Sequence, residues 1–213
     1  LNPEKLRQVE ANLSHNLTPN FVVQVSGYYI IVSDAIAGVS VSEPSNSIIP
    51  GAQILAYAQF QNFGNRNIFG SELRADYQIN FNRTNMKFWG NYSWVDGRED
   101  LPAGGTGPLG LVARNKVKGG TTIRYMEKYF ITPKFEWIDQ TSQFASSGMN
   151  KTPSYALFNL HAGADNLYKG LTPFIDIRNL TDERYFNTTA LRGAFEATPQ
   201  DPRKIVVGLI YKY

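Results

Sequence analysis

Along SELRADYQINF, Leu73, Ala75, Tyr77, Ile79 and Phe81 alternate without a break against Glu72, Arg74, Asp76, Gln78 and Asn80. Successive side chains of an extended chain point to opposite faces, so this stretch predicts a β-strand with one apolar and one polar face. The same period returns along the chain. QVEANLS sets Val9, Ala11 and Leu13 against Gln8, Glu10, Asn12 and Ser14, and FVVQVSGYYII gathers Phe21, Val23, Val25, Tyr29 and Ile31. NMKFWGNYSW places Met86, Phe88, Gly90, Tyr92 and Trp94 opposite Lys87, Trp89, Asn91 and Ser93. NKVKGGTTIRY, ITPKFEW, YALFNLHAG and TPFIDIRN repeat the alternation. RKIVVGLIYKY closes the chain with Ile205, Val207, Leu209, Tyr211 and Tyr213 on one face. The pattern predicts about nine antiparallel strands, each near the ~10 residues with which a tilted strand crosses a bilayer. Strands of soluble sheets are more often about 5–6 residues long.

The connections alternate in length. HNLTPN, FNRTN, MEK and NLYKG are tight turns, whereas Asp34–Arg66, Gly97–Leu111, Thr141–Thr152 and Thr181–Pro202 are long and rich in Gly, Pro, Asn and Ser. Short turns on one side and long loops on the other are the asymmetry of an outer-membrane barrel. With the long loops outside, Trp94, Trp137 and Tyr29 fall near the outer interface. Tyr125, Tyr129, Phe81, Tyr211 and Tyr213 fall near the inner one, giving the two aromatic belts that bilayer interfaces select.

Nine strands leave residue 1 on the extracellular side and the first strand without a partner. Single-chain bacterial barrels have an even count, and an open edge in lipid costs several kcal/mol per unsatisfied group. The expectation is therefore an all-β chain, residues 1–213, forming the closing part of a larger transmembrane β-barrel whose earlier strands and plug lie outside it. Two rivals stand beside it: an autonomous small outer-membrane barrel, an enzyme or adhesin, and a soluble β-sandwich binding module.

Composition narrows the classes. Charged residues make up 18% of the chain and aromatics 13%, with 12 Tyr and 13 Phe. No apolar run approaches the ~20 residues of a membrane helix. A net charge of +3 is too mild and too dispersed to indicate nucleic acid. The absence of Cys removes disulfides and thiolate metal sites.

Five motifs then carry a resemblance. LNPEKLRQVEANL is similar to a recurrent L-x-P-E-x-x-x-x-E-x-G segment, with Asn12 where Gly is common. VSGYYIIVSDAI resembles S-x-Y-Y-x-x-I-x-D-x-I, and FGSELRADY resembles the G-x-E-x-x-x-x-Y strand that follows. IRNLTDERYF is similar to V-x-N-L-F-D-x-x-Y, with Thr181 replacing Phe. TPQDPRKIVVGLIYKY resembles P-x-x-P-R-x-x-x-x-G-x-x-Y-x-F, ending in Tyr. In this order they resemble the C-terminal part of a TonB-dependent outer-membrane receptor. The resemblance implies a plugged transporter of about 22 strands that imports a scarce large ligand, most often a ferric siderophore, with haem or cobalamin as alternatives. It implies as partners the N-terminal remainder of the receptor, a TonB-type energising protein acting through it, the barrel-assembly machinery and outer-membrane lipid. Gly208, Tyr211 and Tyr213 resemble the signal read by that machinery, with Val206 departing from the usual polar residue.

No nucleophile–base–acid constellation is present, and no cofactor or metal site is expected. His161 reads as a lumen-facing side chain hydrogen-bonded to neighbouring strands rather than a metal or haem ligand, and His15 as a solvated turn residue. Asp176 and Arg178 share a face and read as lumen wall. Lys116, Lys118 and Arg124 either steer an anion or line the lumen. Ligand contacts are expected on the long loops and outer lumen, at Tyr57, Phe60, Arg66, Arg98, Phe144, Tyr185, Arg192 and Phe195, because aromatic and Arg groups suit bulky anionic ligands.

Overall fold

A computed structural model describes every residue except 42–44, 47–52, 55, 56, 63, 102, 103, 143–150, 189–196 and 213. Nine strands form one antiparallel meander in chain order: β1 (Lys5–Thr18), β2 (Phe21–Ser33), β3 (Arg66–Phe81), β4 (Thr84–Asp100), β5 (Asn115–Tyr125), β6 (Tyr129–Ile138), β7 (Tyr155–Ala164), β8 (Leu171–Arg178) and β9 (Lys204–Tyr211). The short strand Thr106–Pro108 adds to the outer end of β4. β1 and β9 do not pair with each other, so the sheet is open at both edges.

The register joins the apolar faces of separate strands into one surface. Leu13 lies opposite Val25, Val25 opposite Leu73, Leu73 opposite Tyr92, and Tyr92 opposite Val117, which continues to Trp137 and Ala156. Nearer the short turns a second row runs from Ile79 through Met86, Ile123, Ile131, Ala162 and Ile175 to Val207. These residues have nothing packed over them: Leu13 is 70% and Val207 76% exposed, and no large side chain is fully buried among the described residues. A soluble sandwich covers its apolar faces with a second sheet. This single layer leaves its apolar face uncovered, which removes the sandwich reading.

The aromatic residues take the positions the periodicity predicts. Tyr125 pairs with Tyr129 beside Phe81 and Thr84 at the short-turn end, while Trp94 and Trp137 lie towards the other. Thr84 and Trp94 are ten residues apart on β4. At about 3.3 Å per residue and ~40° of tilt, that separation spans about 25 Å, the height of an outer-membrane apolar band.

Two expectations need correction. β4 continues to Asp100, four residues into the segment read as a loop from Gly97, and β3 begins at Arg66, the last residue of the preceding one, so these strands run to 16 and 17 residues and project past the belt. Within the long segments the chain remains partly paired: Ile36–Val41 with Tyr57–Asn62, Ser45–Asn46 with Gln53–Ile54, Thr141–Ser142 with Lys151–Thr152, and Phe186–Thr188 with Ala197–Pro199. Backbone groups leaving a sheet edge still need partners, and continuing the ladder outwards supplies them. One lapse occurs where Pro133 lacks an N–H. The β5–β6 pairing skips Thr121 and Thr122, and the Thr132 hydroxyl bridges the gap to that of Thr122 at 3.2 Å.

Candidate functional site

The opposite face of the sheet is polar and bonded to itself. Side chains two residues apart on a strand share a face, so Arg74 reaches Asp76 with two parallel bonds, Nε to Oδ2 at 2.6 Å and Nη2 to Oδ1 at 3.0 Å. Lys118 meets Glu136 across β5 and β6 at 2.6 Å, and Arg124 meets Asp165 at 2.5 Å. On β1, Gln8 and Asn12 both donate to Glu10, at 3.0 and 2.9 Å. Lys87, Lys116 and Lys134 have no ion pair among the described residues. A hollow of about 770 Å³ opens on this face between Arg74, Asp76, Lys87, Trp89 and Thr122 and the Pro19–Asn20 turn.

At the long-loop end, the predicted ligand residues among the described ones do not converge. Arg66 stands opposite Glu99 and pairs with it at 3.3 Å on the polar face. Arg98 stands opposite Asn67, one position along each strand, and therefore projects from the apolar face beyond the belt. Both fall in segments read as long loops, and strand alternation puts them on opposite faces. Tyr57 pairs through its backbone with Val41, and Phe60, 70% exposed, lies opposite Gly38. Phe144, Arg192, Phe195 and Tyr213 lie outside the described residues. Gly208 lies opposite Phe174, and Tyr211 opposite Leu171.

Tyr185 does gain a partner that the sequence reading missed. Its ring meets that of Tyr155 at 4.6 Å between centroids, and Tyr155 Oη donates to Asn187 Oδ1 at 3.4 Å. Tyr155 opposite Ile138 places this pair at the rim of the polar face, one step beyond Glu136 and Lys118. Burial pushes the Tyr185 phenol above its ordinary range, with the carboxylates of Asp201 and Glu136 acting in the same direction. At neutral pH it is a hydrogen-bond donor, not a phenolate. Opposed alternation on two strands could have identified Tyr155; its contact with Tyr185 depends on the fold of residues 179–203.

The other polar residues divide similarly. His161 stacks on Phe130 at 5.2 Å and meets Phe174 at 5.7 Å. Its Nδ1 makes no hydrogen bond and lies 3.6 Å from Asp176 Oδ2, so the expected bond to neighbouring strands is replaced by ring contacts. Asp176 accepts from Arg178 Nε at 3.1 Å, the shared-face pair that alternation predicts. Of the three cations considered for steering, Lys118 and Arg124 are neutralised by their partners. His15 sits within β1 opposite Val23, not in the turn.

A family model described as TonB dependent receptor-like, beta-barrel matches residues 1–180. The chain belongs to this family. Comparison with curated proteins returned no match. Among solved structures, the FrpB iron transporter from Neisseria meningitidis (F3-3 variant) is similar at 17% identity with a TM-score of 0.69, over 99% of this chain and 30% of that one. The copper transporter OprC is similar at 17% identity and 0.72, over 99% and 32%. BauA, the ferric preacinetobactin receptor from Acinetobacter baumannii, is similar at 16% and 0.68, over 98% and 30%. The chain thus spans about a third of the length of these proteins.

The TonB-dependent receptor motifs now have physical roles here. In the opening L-x-P-E segment, Glu4 accepts the Ile36 N–H at 2.6 Å and Lys5 pairs with Asp34 at 3.3 Å. Asn62 donates to the carbonyls of Asn2 and Asp34 at 2.7 and 2.8 Å. These bonds tie both ends of the first long segment to the start of β1. In IRNLTDERYF, Asn179 is 3% exposed and takes φ +51°. Its backbone donates to Asn159 Oδ1 at 2.9 Å, while its amide donates to Glu183 O and accepts from Glu183 N, both at 2.8 Å. Asp182 accepts the Arg203 N–H at 2.8 Å. The motif is a knot that brings the end of β8 to the approach of β9.

Proposed function

We propose that this chain is the C-terminal, closing part of a plugged receptor barrel in the bacterial outer membrane, and that the receptor imports a ferric siderophore. The observation that carries the reading is one uninterrupted sheet, apolar between two aromatic belts on one face, ion-paired on the other, and open at both edges. An open edge in lipid leaves backbone groups unsatisfied, so β1 and β9 require further strands, and the remainder of the receptor supplies them together with the plug. A TonB-type partner acts through that remainder. Gly208, Tyr211 and Tyr213 serve as the assembly signal. The iron and ferric-receptor descriptions of FrpB and BauA support iron as cargo, and OprC marks copper as the competing cargo in the same family.

The test is uptake of isotopic iron, supplied as ferric siderophores of several chemical classes, by cells carrying or lacking the full receptor. Receptor-dependent iron accumulation that requires the energising partner is the expected result. Receptor-dependent copper accumulation without iron would overturn the cargo. Recovery of the 213-residue chain folded and alone at 23.9 kDa would overturn the split-barrel reading.

A further inference from the structure

Four aromatic rings on the polar face each lie over a glycine directly across the sheet. Tyr28 covers Gly70 between β2 and β3, and Trp89 covers Gly120 between β4 and β5. Phe130 covers Gly163 between β6 and β7, and Phe174 covers Gly208 between β8 and β9. A Cβ on Gly163 would come within 2.6 Å of Phe130 Cζ, one on Gly70 within 2.6 Å of Tyr28 Cζ, and one on Gly120 within 3.1 Å of the Trp89 indole. At Gly208 it would collide with the Phe174 ring. At Gly70, Gly163 and Gly208 a side chain would require the ring to move, and at Gly120 the neighbours would have to give by a few tenths of an ångström.

Their distribution is informative. The four pairs that carry a ring on a glycine are the four whose strands are joined by long segments, 34–65, 101–114, 139–154 and 179–203. Of the four pairs joined by short turns, only β7–β8 sets an aromatic opposite one of these glycines among the described residues: Gly163 faces Phe174, whose Cβ would lie 3.1 Å from a Cβ built on it. Gly27, Gly90 and Gly119 have no aromatic ring within 4 Å of such a Cβ, and Gly97 lies against Asn67, Ile68 and Leu109.

We infer that these ring-on-glycine pairs set the strand register where no turn can. A tight turn fixes register by its own geometry. A long segment does not, and the alternation of apolar and polar residues resolves only half of the remaining ambiguity. A slip of one residue reverses the faces and is rejected by the membrane. A slip of two residues leaves every side chain on its correct face. Such a slip brings Trp89 onto Lys118 or Thr122, Tyr28 onto Ile68 or Glu72, Phe130 onto His161 or Asp165, and Phe174 onto Val206 or Ile210. Each alternative puts a side chain where the ring must lie, so the glycine selects one register. Gly208 then has a defined task within the terminal motif: it seats Phe174 and fixes the height at which the edge strand β9 is offered.

The β4–β5 pair provides the test, made in the full receptor and read independently of transport. These 213 residues contain no Cys, and any Cys in the remainder of the receptor is replaced by Ser. Lys87→Cys with Thr122→Cys reports the native register, in which these residues are opposite. Lys87→Cys with Arg124→Cys, and Asn91→Cys with Lys116→Cys, report slips of two in either direction. With Trp89 and Gly120 intact only the native pair should cross-link. Trp89→Ala, and separately Gly120→Ala, should lower the heat-resistant folded fraction several-fold and bring up a slipped cross-link. Phe88→Ala, an aromatic truncation one residue away on the other face, should leave the native cross-link alone. Native-only cross-linking and an unchanged folded fraction in both test variants would overturn the inference. Because the Pro133 carbonyl also lies 3.0 Å from a Gly120 Cβ, a failure of Gly120→Ala alone to assemble is referred to Trp89→Ala, which leaves that backbone contact untouched. If Trp89→Ala also fails to assemble, the exchanged pair Trp89→Gly with Gly120→Trp decides. A restored native cross-link supports register selection, and loss of assembly in that arrangement too overturns it in favour of a local packing requirement.

Discussion

Individual residues act here through satisfied backbone groups more than through a packed interior. Asn179 is the clearest instance, since its backbone N–H donates to Asn159 of β7 while its one buried side chain answers both backbone groups of Glu183 and the Asp201 carbonyl on the approach to β9. Removing its amide leaves those groups buried without partners, which costs about 1–3 kcal/mol each. Asn179→Ala should destabilise the folded barrel by roughly 2–3 kcal/mol, measured as a lower urea midpoint in lipid vesicles, with Asn179→Asp recovering part of the loss. Tyr185 gives a pH test. The folded chain holds this proton more tightly than the unfolded chain does, chiefly because the ring is buried. Its contribution is complete below the ordinary phenol range and is lost as pH rises through the raised value. Tyrosinate absorbance should show a late-titrating component, and Tyr185→Phe should reduce it. IRNLTDERYF was visible in the sequence as a motif; that Asn179 is its hub was not, because two of its partners, Asn159 and Asp201, lie 20 and 22 residues away.

At the scale of the strand, alternation makes two neighbouring positions into two environments. Ala75 lies among Val23 and Gly90 on the outward face, whereas Gln78 faces the polar side opposite Lys87. Ala75→Arg should destabilise by about 2–4 kcal/mol near the bilayer midplane, and Gln78→Arg by much less. Unfolding titrations of the two variants in vesicles would separate them; equal costs would mean that the faces are misassigned. The strands themselves were legible because their period is local. Their outer extensions were not, since Gly, Pro and Ser in the connecting segments mask pairing that the ladder nevertheless continues.

For the whole molecule, the decisive feature is that β1 and β9 are both edges. Expressed alone, the chain should fail to give a heat-resistant folded species on gels, and co-expression with the remainder of the receptor should restore one. A heat-resistant band from the chain alone would instead require β1 to close on β9. The sequence by itself determined the all-β class, the number of long strands and which residues share a face, because a period of two is read within about ten residues; the family was legible from the order of five motifs along the chain. Removing the sandwich reading took the uncovered single sheet of the tertiary structure. Only the tertiary structure decided that Arg66 and Arg98 part company, that Lys118 and Arg124 are neutralised, that Tyr155 joins Tyr185, and that each long-loop strand pair seats a ring on a glycine. Those facts depend on register between strands distant in sequence, and alternation alone cannot distinguish one register from another displaced by two.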